Sequence, residues 1–132
     1  MGNTWQTIKQ WKIKPDELIS VIRFSSNNNY VGLAVQAQSR NWHFEPRNRQ
    51  TTDVIWTIQL DNHDRRRFPI PLQTEEWLIV HNLKKLITQI DKNGQVKRTI
   101  KYPEVLRNAV LIEQQQCLII ATDKKQLHFY DL

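Results

Sequence analysis

Residues 77–91, WLIVHNLKKLITQID, decide the fold, because the pattern returns at residues 117–131 as CLIIATDKKQLHFYD. Displaced by 40 positions and without a gap, Leu78 falls on Leu118, Ile79 on Ile119, Val80 on Ile120, Lys84-Lys85 on Lys124-Lys125, Ile87 on Leu127 and Asp91 on Asp131. Taken alone, residues 74–94 also read as a helix. Thr74 suits an N-cap, Glu75 and Glu76 the first turn and Gly94 the position past the end, while Ile79, Leu83, Leu86, Ile87 and Ile90 fall near one face. The second copy decides for strand. It is rich in β-branched and aromatic residues and carries Thr122-Asp123 near its middle, which makes a poor helix.

Outward from this echo, residues 21–45 give a weaker third copy. Its ending Trp42-His43-Phe44-Glu45 parallels His128-Phe129-Tyr130-Asp131. Tyr30 and Trp77 are 47 positions apart, so this copy needs an insertion, placed in the polar loop around His63 to Arg67. A repeat of about 40 residues with four β segments is the spacing of a propeller blade. Alternation and polar punctuation predict strands over residues 5–13, 18–24, 30–37, 41–45 and 54–60, then 68–72, 77–82, 86–91 and 96–102, and finally 106–112, 117–122 and 126–131. Asn93-Gly94 marks a hairpin turn, since both residues tolerate positive φ.

The reading is therefore an all-β chain of three four-stranded β-propeller-type blades in one domain spanning residues 1–132. The units are about 18–60, 66–102 and 106–132, and the strand at 5–13 is expected to complete the last blade. Three units leave two apolar sheet faces without a neighbour, whereas propellers close with about four to eight blades. A large uncovered apolar face usually marks a partner surface. Self-association or a partner subunit is accordingly expected.

The segment 17–45 resembles a WD40-type or related bacterial propeller blade: an apolar strand ending in Phe24-Ser25, a polar turn, a second apolar strand, then an aromatic strand closing on an acid. The chain end Phe129-Tyr130-Asp131-Leu132 looks like that family's Trp-Asp ending with Tyr in place of Trp. The resemblance implies a blade shape and a protein-binding platform. It implies no more, because no Gly-His pair precedes any unit and the chain has only 3 Gly.

With 132 residues, 39% hydrophobic, 24% charged and 5 Trp, the composition is that of a globular domain. No apolar run approaches the roughly 18 residues of a membrane helix. Residues 1–12 are polar and lack an apolar signal core, so a cytoplasmic protein is expected. The one cysteine, Cys117, sits in an apolar run and reads as core. His43, His63, His81 and His128 have no ligand spacing, and phosphate loops, Cys pairs and hydrolase motifs are missing, so neither catalysis, metal nor cofactor is expected.

The net charge of +6 permits an acidic or nucleic-acid partner without choosing between them. Arg65, Arg66 and Arg67, with Arg40, Arg47 and Arg49, are the one concentration of charge suited to phosphate or carboxylate. Trp5 and Trp11, on the terminal strand, are the aromatic candidates for a partner surface. Two functions follow: a non-catalytic protein-interaction or assembly module, or a basic protein that binds nucleic acid through the arginine-rich loop.

Overall fold

The computed structural model describes residues 4–7, 10–12, 14–37, 41–60, 67–82 and 84–132. Its strands form three antiparallel sheets, each a meander in chain order. The first contains β1 (Leu18–Phe24), β2 (Tyr30–Gln36), β3 (Trp42–Asn48) and β4 (Ile58–Gln59). The second contains β5 (Arg67–Pro71), β6 (Trp77–His81), β7 (Leu86–Ile90) and β8 (Val96–Lys101). The third contains β9 (Leu106–Ile112), β10 (Cys117–Thr122) and β11 (Leu127–Asp131). The helix reading of 74–94 is thereby excluded. Thr74, Glu75 and Lys85 all have positive φ, which a continuous α-helix does not accommodate.

The stacking of the sheets follows from β6. Residues paired across a ladder share a face. Leu78 and Val80, with Ile70 and Ile87, join Tyr102, Leu106, Leu118 and Ile120 in one buried cluster. Trp77 and Ile79, with Ile90, join Phe44 and Leu60 in another. β6 is thus covered on both sides, which is why its residues Trp77 to Val80 run apolar without alternation. The first strands of the sheets come together, β5 touching both β1 and β9. Between the first and second sheets the Phe44 and Trp77 rings meet edge to face, their centroids 5.0 Å apart. Gly32 sits beneath them, where a Cβ would lie 2.7 Å from Trp77 Cη2 and 2.8 Å from Phe44 Cζ. Glycine is required there by the closeness of two sheets.

The repeat is visible in the turns. Lys85 and Lys125 both adopt left-handed backbone, and each amide donates back three residues, to Asn82 O at 3.4 Å and Thr122 O at 3.2 Å. Beyond the turn the 40-residue displacement fails. His81 faces Leu86, whereas Ala121 faces Leu127, so the second hairpin holds one more loop residue. His128, rather than Leu127, takes the place of Ile87. At Asn93-Gly94 only Gly94 carries positive φ, at 85°. Asp91 Oδ1 accepts from the Asn93 and Gln95 amides at 2.9 and 3.0 Å, which closes the turn without a second left-handed residue.

Two expected strands differ. Over 54–60 the regular ladder shrinks to Ile58–Gln59 and one bridge from Arg47 to Val54. Ile55 N donates to Pro46 O at 2.9 Å, but proline has no N–H to return, so the pairing is half made. At the N-terminus, residues 4–7 and 10–12 form no strand, and among the described residues nothing adds to the outer edge of β11. Trp11 instead packs against the cluster formed by Val31, Leu33 and Val35 of the first sheet. The last sheet therefore has three strands and not four, and the three sheets stand in an open row.

Candidate functional site

The two ends of the row are unlike. On the third sheet, Leu118 and Ile120 turn inward and pair with Tyr130 and His128; Cys117, Ile119 and Ala121 turn outward with Asp131, Phe129 and Leu127 on one side and Ile112, Val110 and Asn108 on the other. All three strands contribute apolar residues to this outer face, which is polar only at Asn108 and Asp131 among the paired positions. Val110 is 55%, Leu127 62% and Phe129 64% exposed, where a soluble surface would carry polar residues at these alternating positions. On the first sheet, the outer face leaves Ile22 and Phe24 of β1 exposed, but Trp11 lies against β2 and an ion-paired group occupies β3. There Glu45 is buried, accepting from Arg47 Nη2 at 3.1 Å with His43 Nε2 at 3.5 Å. Alternation along His43-Phe44-Glu45-Pro46-Arg47 puts these three on one face, a signal the sequence held and that the charge tally overlooked.

A cleft of about 280 Å³ lies between β8 and β11, floored by Leu78, Ile87, Leu118 and Ile120 and flanked by Arg98 and Lys101. At the cleft the Tyr102 hydroxyl bonds to His128 Nδ1 and lies 2.9 Å from the Tyr130 hydroxyl. Burial, then the hydrogen bond with Tyr130, push the Tyr102 phenol above its ordinary range. Sequence reading missed this cluster because Tyr102 follows the second sheet, His128 lies in the third, and the two share no periodic signal.

The arginines singled out above are not gathered into one place. Arg40, Arg65 and Arg66, with His63 and the loop around it, lie outside the described residues, and Arg67 is the first residue of β5. Arg47 is held by Glu45. Arg49 is exposed, with its guanidinium 5.8 Å from the Phe24 ring centre, beside a polar depression formed by Asn28, Asn29, Asn48 and Gln50. Trp5 is fully exposed, whereas Trp11 is half-buried. Among the described residues no three His, Cys, Asp or Glu side chains converge as a metal site. No described helix is long and apolar enough to cross a membrane.

No family model and no curated protein matches the chain. Solved structures do resemble it. Hsv2 of Kluyveromyces marxianus, a β-propeller, superposes with a TM-score of 0.57 at 13% identity, over 86% of this chain and 35% of its own. Hsv2 of Kluyveromyces lactis gives 0.57 at 12%, over 88% and 33%. A protein of unknown function from Bacteroides caccae gives 0.53 at 9%, over 90% and 48%. This chain spans between a third and a half of these structures. At such identities the likeness is one of fold alone, and that fold is propeller-like.

Proposed function

We propose that the chain is a non-catalytic interaction module that docks on a neighbour, either a second copy or a partner subunit, through the outer face of its third sheet. The observation that carries this reading is the bare apolar surface of Val110, Ile112, Leu127 and Phe129. Each of the two internal sheet junctions buries a hydrophobic cluster, and the third sheet offers the same kind of surface with none of the described sheets against it. Contiguous apolar patches beyond a few hundred Å² are uncommon on monomeric proteins. The likeness to the β-propeller Hsv2, of which this chain matches 35%, supports the same reading, since propeller blades cover one another.

Light scattering of the purified chain at micromolar concentration should give a mass above the 15.8 kDa of one copy. Val110→Asp with Ile112→Asp, both on exposed positions, should return it to one copy. A one-copy mass with hydrophobic-dye binding that these substitutions abolish assigns the face to a different partner chain. A one-copy mass without dye binding overturns the proposal, because the face is then covered within the chain.

A further inference from the structure

The geometry points to a second docking element, distinct from the sheet face: the outer edge of β11 takes up an extended acidic segment of another protein as a fourth strand. The inference rests on the reading of the chain as an interaction module and adds the form and charge of one partner.

The backbone shows which groups are available. Thr122 N donates to Gln126 O at 3.0 Å, and Leu132 N to Gln116 O at 2.9 Å. Bonded and non-bonded pairs alternate along an antiparallel ladder. His128 and Tyr130 therefore turn their backbone groups toward β10, and Leu127, Phe129 and Asp131 turn theirs outward. Among the described residues no strand meets that outer edge. In the second sheet the corresponding edge, on β7, is occupied by β8. An unpaired edge is a template for another strand.

The cleft supplies the side-chain half of the site. A strand beside β11 would place alternate residues over Leu78, Ile87, Leu118 and Ile120, which asks for aliphatic side chains there. Arg98 and Lys101 stand on its flank, and Lys124 and Lys125 lie in the turn before β11, outnumbering Asp123 and Asp131. That balance selects acidic flanking residues. It also selects against a second copy of this chain, which brings a charge of +6.

The probe is a synthetic peptide of residues 95–102, the segment containing β8, carrying Lys97→Glu, Arg98→Glu and Lys101→Glu, with the unsubstituted peptide as basic control. Binding is read by fluorescence anisotropy, and contact by amide hydrogen exchange of the full chain. The acidic peptide should bind more tightly than the basic one, more weakly as salt rises, and should slow exchange at Leu127, Phe129 and Asp131. Phe129→Pro removes an outward N–H and should weaken binding about tenfold, whereas Phe129→Ala keeps that donor and should change it by less than about threefold. Circular dichroism establishes that both variants fold. Equal losses in the two variants, or binding without protection of those amides, overturn the strand assignment. Protection already present in the dilute free chain shows the edge covered by the chain itself, and protection that grows with protein concentration in the Val110→Asp, Ile112→Asp background, where the sheet face is blocked, assigns it to a second copy; either overturns the proposal. Failure of both peptides to bind does so too. All of these failures leave the Val110 face and its own test untouched.

Discussion

Tyr102 follows β8 and carries its hydroxyl across to the third sheet, to His128 and Tyr130. A buried phenol of this kind contributes most when neutral. Its folded pKa is raised, so its contribution is fully present below the unfolded value near 10 and is lost as pH rises beyond it. Tyr102→Phe should cost about 1 kcal/mol in urea denaturation at neutral pH, from the lost hydrogen bonds. Above pH 10 the wild-type and variant stability curves should converge; curves that stay parallel would refute the coupling. Other residues were easier to read. Leu78, Val80, Leu118 and Ile120 announce themselves as core by position within the echo, and all four are buried. Trp11 does not: its alternation with Trp5, Thr7 and Lys9 fits a strand in a ladder and an extended chain lying on a sheet equally well.

Among elements, β6 and β10 make a controlled comparison, since they share sequence pattern and a left-handed lysine in the turn that follows. In β6 both Ile79 and Val80 are buried, at 1% and 0%, because a sheet lies on each side. In β10 Ile120 is buried at 0% while Ile119 is only half-covered. Ile79→Ala and Ile120→Ala should each cost about 2–5 kcal/mol in chemical denaturation. Ile119→Ala should cost under about 1.5 kcal/mol, and a loss matching Ile120→Ala would show that the outer face is packed. Strand positions were legible because β-branched residues and Gly94 punctuate them. The lost register beyond Lys125 was not, since one inserted loop residue shifts pairing without altering composition. Nor was the shortening of β4, which depends on the side of the ladder that Pro46 faces.

For the whole molecule, cover decides rigidity. The second sheet has a neighbour on both faces, the first and third on one. Amide exchange should therefore be slowest at Leu78, Ile79 and Val80 and fastest among ladder residues at β11 and β1. Exchange at β11 as slow as at β6 would mean that the row is closed in solution. The number of sheets and their order in the row could be inferred from three sequence units, but the dissimilar ends could not. That dissimilarity sets the stoichiometry of any self-assembly. A copy arriving tail to head would have to strip away Trp11 and bury the Glu45–Arg47 pair, whereas two third sheets can meet without disturbing either. Third sheet against third sheet would be a two-fold contact that uses the same face of both molecules, so growth through that face stops at a pair.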